Sequence, residues 1–191
     1  MKTKFSLITL LLFSYNSYSQ LKLNVIFNDG TEKMDYYETE GDELLALSNN
    51  KRFHIDEIKE LTYYTEKDTT HYYVVETKTY VESKKSKKDI ARKAYDGENI
   101  ELYYIYYNWT KIHTNSTMSF NSYDEAFVRR KGEEFVYNIG YIYGAGYKGI
   151  KKRVKEYFTD CPKLVEKVKQ NKIKKNNSLE IVKYYDENCG K

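Results

Sequence analysis

Proline occurs once among 191 residues, cysteine twice, histidine three times and tryptophan once. One proline excludes proline-rich spacers, and nine glycines are too few for a flexible Gly/Ser hinge. Composition therefore marks no linker, and the length fits one domain behind a targeting segment. A chain of this size buries roughly 70% of the surface its unfolded form exposes, so it needs neither a structural metal nor many disulfides. No apolar run approaches the roughly 20 residues a helix needs to cross a bilayer, and no stable membrane anchor is expected.

The usual marks of catalysis are also missing. His54, His71 and His113 stand apart, with no HxH, HExxH or CxxC spacing, so no metal site is expected. There is no GxSxG elbow and no Cys–His arrangement, and neighbouring acids such as Asp56 with Glu57, or Glu133 with Glu134, would point to opposite faces of a strand. No catalytic residue can be named. Gly144-Ala145-Gly146-Tyr147-Lys148-Gly149 spells GxGxxG between an expected strand and an expected helix, the context of a dinucleotide site. That site also needs a second parallel strand ending in an acid about 20 residues on, and the corresponding position, near Glu166, falls in helix-like sequence. The glycines read as turn residues, and no cofactor is expected.

What is abundant is tyrosine, 22 residues beside 8 Phe and 1 Trp, which makes the chain too apolar to stay unfolded. Residues 1–19 have the layout of a signal peptide: Lys2 and Lys4, the mostly apolar run Phe5 to Phe13, then small residues at Ser17 and Ser19. The expected location is periplasmic or secreted, with a mature chain from Gln20.

Residues 20–147 follow a period of two, the mark of strands. Leu21, Leu23, Val25 and Phe27 alternate with polar residues, and Asn28-Asp29-Gly30 supplies a tight turn into Thr31 to Tyr37. Further strands are expected at 52–55, 60–64, 71–81, 100–109, 117–120, 126–130 and 134–143, with one short helix at Asp89 to Tyr95. From about residue 148 the helical period takes over: Ile150, Val154, Tyr157 and Phe158 form a stripe, and Asp160 with Pro162 reads as a helix start. Asn177 with Glu180 resembles a capping box at the start of a last helix. The predicted fold class is α+β: an antiparallel β-meander body of roughly six to nine strands, 20–147, followed by a helical tail, 148–191, in a single domain.

Both cysteines, Cys161 and Cys189, fall in that tail. An exported chain meets oxidising conditions, and two helices joined by a short turn run antiparallel, so the start of one lies beside the end of the other. A Cys161–Cys189 disulfide follows, with about 3 to 4 kcal/mol of stabilisation from the loop closure it enforces. The rival, a reactive or metal-binding thiol pair, lacks supporting histidines or CxxC spacing.

Charge is uneven: residues 20–80 carry 7 basic and 13 acidic side chains, whereas residues 147–191 carry 13 and 6. A lysine-rich helical tail can contact a polyanion, although lysines on the outer faces of amphipathic helices usually serve solvation, and no nucleic-acid partner is expected. Tyrosine doublets recur at Tyr36-Tyr37, Tyr63-Tyr64, Tyr72-Tyr73, Tyr103-Tyr104, Tyr106-Tyr107 and Tyr184-Tyr185. In a strand each doublet sends one ring to each face, so Tyr103, Tyr104, Tyr106, Tyr107 and Trp109 form the candidate binding face. Compositional bias is the competing explanation, since tyrosine suits strands anyway.

The ending Asp160-Cys161-Pro162-Lys163-Leu164-Val165, followed by Tyr184-Tyr185-Asp186-Glu187-Asn188-Cys189, resembles the C-terminal signature of a family of small exported Bacteroidota proteins. Val25 to Tyr36 and Gly97 to Tyr103 match that family's strand–turn–strand opening and central Gly…Leu-Tyr element. The resemblance implies export, a β-rich body and a helical tail with paired cysteines, and it implies no activity. Together these readings predict a non-catalytic binding or interaction module, with a cell-envelope protein or a glycan as partner. The alternatives are a hydrolase-type enzyme whose site assembles only in three dimensions, and polyanion binding by the tail.

Overall fold

The computed structural model describes residues 21–40, 42–64, 68–112, 118–140 and 149–190. The expected signal peptide and most of the GxGxxG string lie outside these. The body is β1 (Leu21–Phe27), β2 (Glu32–Glu40), β3 (Glu43–Ala46), β4 (Lys51–His54), β5 (Ile58–Tyr64), β6 (Thr69–Lys78), β7 (Lys87–Asp96), β8 (Ile100–Ile112), β9 (Met118–Arg130) and β10 (Val136–Asn138). Helices α1 (Ile150–Tyr157), α2 (Pro162–Lys169) and α3 (Ser178–Asn188) follow. The fold is α+β, with strands first and helices last.

All ten strands belong to one sheet in the order β10-β9-β8-β7-β6-β5-β1-β2-β3-β4. The turn from β1 to β2 forms as its sequence requires: Gly30 has φ of +84°, and the Thr31 amide donates to Asp29 Oδ1 at 2.8 Å. At the other end, β10 pairs antiparallel with β9 and also parallel with β6, Val136 opposite Thr77 and Tyr137 opposite Lys78. That second pairing closes β6 to β10 into a five-stranded ring, and β5 to β4 extend from it as an open wing.

The expected helix at Asp89 to Tyr95 is instead strand β7. Its Ile90, Ala91, Ala94 and Tyr95 mimic a helical stripe because the register shifts between Lys93 and Tyr95, and that irregularity breaks the period of two. The segment expected at 126–130 and residues 118–120 of the one expected at 117–120 are parts of the single strand β9, paired along β8, and Thr117 lies outside the described residues. Strand β3 was not expected at all, which brings the body to ten strands.

Val75, Ala91, Tyr103, Ile105, Phe127 and Val136 fill the ring. At one end Glu101, 4% exposed, accepts from Lys93 Nζ at 2.8 Å, Arg129 Nε at 2.8 Å and the Tyr103 hydroxyl at 2.9 Å. Burial opposes its charge, but these donors outweigh burial and hold its carboxyl down to about 2. The opposite case is Glu125, 5% exposed, which accepts from Asn138 Nδ2 at 2.6 Å. Burial, only partly offset by the Arg153 charge, pushes its carboxyl up to about 7.

The helices cover the outer surface of β8, β9 and β10. Ile100, Leu102, Ala126 and Val128 meet Val154, Phe158, Leu164, Ile181 and Val182 in one buried cluster. Arg130 of β9 clamps the assembly: its Nη2 donates to the Tyr157 carbonyl and to Asp160 Oδ1, both at 2.7 Å, and its Nε to the Tyr185 hydroxyl at 2.9 Å. Asp160 is thereby spent on Arg130 rather than on capping α2, whose N-cap is Cys161 with no side-chain cap. Asp186 of α3 makes a second clamp, accepting from the Tyr95 hydroxyl at 2.8 Å and the Asn99 amide at 2.7 Å. No Cβ fits at Gly97, because Asp186 occupies that space. Cys161 and Cys189 form the expected disulfide, with Cα atoms 5.7 Å apart, and Asn177 caps α3 by accepting from the Glu180 amide at 3.2 Å.

Two outcomes follow from this architecture. Replacing both Cys161 and Cys189 by Ser should lower unfolding stability by about 3 to 4 kcal/mol in urea titration at neutral pH. Because the folded carboxyl of Glu125 lies above its ordinary value of 4.5, the native state binds the extra proton and stability falls as pH rises from about 4.5 to 7. Glu125→Gln should flatten that fall; a variant whose stability tracks the wild type across the window would contradict the assignment.

Candidate functional site

Strand alternation decides which tyrosines can meet a ligand. On β8, Glu101, Tyr103, Ile105 and Tyr107 lie on the ring interior, whereas Ile100, Leu102, Tyr104 and Tyr106 lie on the outer face. Along that outer row cover runs out: Ile100 and Leu102 are fully buried under the helices, Tyr104 is half-buried, and Tyr106 is 62% exposed.

Where the helices stop, a groove of about 570 Å³ opens across the sheet. Leu23, Leu44, Leu61 and Ile90 form its aliphatic floor, Tyr63, Tyr72, Tyr104 and Tyr106 supply its rings, and Arg92, Asp124 and Thr39 complete its lining. Register explains the convergence, since directly opposed residues share a face. Leu23 lies opposite Tyr63, Leu61 opposite Tyr72, Tyr72 opposite Arg92, Arg92 opposite Tyr104, and Tyr106 opposite Asp124. From β1 to β8 this crosses four strand spacings, about 19 Å. The Arg92 guanidinium carbon lies 5.5 Å from the centre of the Tyr104 ring. Burial raises the Tyr104 hydroxyl above its ordinary range, with Arg92 opposing and Asp124 adding to the effect, so it remains a donor at neutral pH.

Of the five residues expected to form the binding face, the groove brings together Tyr104 and Tyr106. Tyr103, 1% exposed, is inside the ring, where its hydroxyl receives Arg129 Nη2 at 2.7 Å. Tyr107 packs against the ring interior, and Lys87 Nζ donates to its hydroxyl at 3.3 Å. The backbone of Trp109 continues β8 opposite Asn121, but its side chain lies outside the described residues. Tyr63 and Tyr72, each half of a doublet, join the groove because β5, β6, β7 and β8 pair in sequence order and set Tyr72 beside Arg92 and Leu61 on one face. Sequence alone hides Arg92, because the false helical stripe of β7 masks the alternation that puts it on this face.

Of the three histidines, two are engaged in structure outside the groove, and His113 lies outside the described residues. His54 accepts from the Asp56 amide at 3.2 Å and so caps the single turn at Ile55–Glu57, and His71 pairs with Glu60 at 2.9 Å. Among the described residues no group of three or more His, Cys, Asp or Glu side chains could hold a metal, and no helix is long and apolar enough to cross a membrane. Glu166 lies in α2, so the second strand a dinucleotide site requires is not there. No protein-family model, curated protein or solved structure matches this chain.

Inward and outward tyrosines should differ sharply in stability. Tyr103→Phe strands Glu101 and Arg129 without their shared hydroxyl and should cost about 1.5 to 3 kcal/mol, whereas Tyr106→Ala should stay within about 0.5 kcal/mol, both measured by chemical denaturation.

Proposed function

We propose that this chain is an exported, non-catalytic binding module whose tyrosine-lined groove seats a glycan. The observation carrying this reading is the groove itself, about 570 Å³, with four hydroxyl-tipped rings above an aliphatic floor and Arg92 and Asp124 in the same lining. Sugars present apolar C–H faces and hydroxyl edges. Tyrosine offers a flat apolar face with a polar tip, and the guanidinium and carboxylate offer the donors and acceptors that fix orientation.

Two competing ligands fit less well. An extended peptide adds to a sheet at a free edge, and β1, β5, β6, β7 and β8 beneath this groove are each paired on both sides. Catalysis on the sugar would ordinarily use two carboxyl groups flanking the scissile bond. Among the described residues of the lining, Asp124 is the one acid. Glu125, the strongly raised carboxyl, follows it on the opposite face, inside the ring. Export is supported by the layout of residues 1–19, by a disulfide of the kind that persists in oxidising compartments, and by the family resemblance of the tail.

Calorimetric titration with a panel of neutral oligosaccharides tests the assignment. At least one should bind, and Tyr104→Ala or Arg92→Ala should weaken it tenfold or more, while Tyr36→Ala, at an exposed tyrosine of β2, should not. A panel without a binder, or groove variants indistinguishable from the wild type, would overturn the reading.

A further inference from the structure

The second feature is independent of the groove and lies in the helical tail. Between α2, the turn that follows it and α3 is a pocket of about 390 Å³ on which three lysines converge: Lys167 from α2, Lys172 from the turn and Lys183 from α3. Ile173, 4% exposed, and Tyr184 form its apolar base. Lys167 Nζ sits 5.1 Å from the centre of the Tyr184 ring, which orders the ammonium rather than leaving it to sweep through solvent. The turn is held by the Lys172 amide donating to the Lys167 carbonyl at 2.9 Å.

Three lysines against two acids leave the lining with a net charge of +1. Two acids share the lining, Glu180 and Glu187, and Glu180 is engaged by Asn177 Nδ2 at 2.8 Å as part of the α3 cap. Among the described residues, none of the three lysines is within ion-pair distance of a carboxylate. Three lysines line the pocket from three backbone segments, with the Lys167 ammonium laid on the Tyr184 ring, unlike the single rows of lysine that merely solvate a helix.

We infer that this pocket binds an oxyanion of the phosphate or sulfate type, carried on a larger exported or envelope molecule. Several lysines around one tetrahedral anion supply the charge-assisted bonds such groups take, and the Tyr184 ring covers the apolar atoms next to the anion.

Two triple variants with the same change in net charge test it. Lys167→Gln, Lys172→Gln and Lys183→Gln empty the pocket of cations; Lys152→Gln, Lys155→Gln and Lys163→Gln remove exposed lysines from elsewhere on the tail. The readout is retention on a heparin column at 150 mM salt, together with titration by inorganic pyrophosphate and co-sedimentation with phosphatidylglycerol vesicles. The wild type should be retained and should bind pyrophosphate, the pocket triple should lose at least tenfold in pyrophosphate affinity, and the control triple should lose less than twofold. Vesicle binding that disappears with the pocket triple would identify a lipid headgroup as the source of the anion, and its absence beside heparin retention would identify a soluble sulfated or phosphorylated polymer. Equal losses in both triples would mean that only bulk charge is at work, and wild-type flow-through at 150 mM salt would mean that no site exists; either result overturns the inference. Far-ultraviolet circular dichroism of both triples verifies that they fold.

Discussion

The short parallel pairing of Val136 and Tyr137 with Thr77 and Lys78 governs the rest of the body. It closes five strands into a ring, and closure gives the sheet an inside and an outside from β6 to β10. Once that is set, a period of two assigns every side chain. Tyr103 and Ile105 must fill the ring, and Tyr104 and Tyr106 must leave it. A slip of one residue along β8 would bring Glu101 under the helices and Leu102 into the polar end of the ring. The first buries a carboxylate without its donors and the second leaves Lys93 and Arg129 without their acceptor, so the register is strongly specified.

The tail depends on two clamps of opposite charge. Arg130 reaches out from β9 and collects α1, the 158–161 turn and α3; Asp186 reaches back from α3 and collects the turn between β7 and β8. Burial disfavours the charge of both groups, yet their hydrogen bonds raise the guanidinium pKa and lower the carboxyl pKa. The Cys161–Cys189 bridge then ties the start of α2 to the end of α3, directly beside both clamps. Sheet and tail are therefore one cooperative unit, in which the helices bury the apolar outer residues of β8 and β9 and leave the groove beyond them open.

Local signals were legible in the sequence, and long-range ones were not. The Asn28-Asp29-Gly30 turn, the Asn177 cap and the cysteine pairing each depend on neighbours or on antiparallel helices, and each forms, although Glu180 accepts from the Asn177 side chain and not from its backbone amide, so the capping box is not reciprocal. β7 failed because its irregularity after Lys93 replaces a period of two with a false helical stripe. Asp160 with Pro162 reads as a helix start, but nothing in its own neighbourhood reveals that Arg130, 30 residues earlier, claims the Asp160 carboxylate. Half of the expected tyrosine face was likewise lost to the ring, since alternation along β8 is visible in sequence but the identity of the inward set is not. Tyr72 and Arg92 join Tyr104 because β6, β7 and β8 pair in sequence order, once β7 is a strand, whereas Leu23 meets Tyr63 only because β1 inserts between β2 and β5, which no local signal announces.

The choice of tyrosine over phenylalanine at the groove follows from where it lies. The outer row of β8 passes from Ile100 and Leu102 under the helices to Tyr104 at their margin and Tyr106 beyond it. Phenylalanine at the last two positions would leave bare apolar surface joined to the Leu23, Leu44 and Leu61 floor, the kind of patch that drives self-association. A hydroxyl at the tip of each ring keeps the rim wet while the faces stay apolar. Such a surface resists self-association while keeping the flat faces of its rings open. The abundance of tyrosine in the sequence, ambiguous as composition, acquires a physical meaning at the place where the helical cover ends.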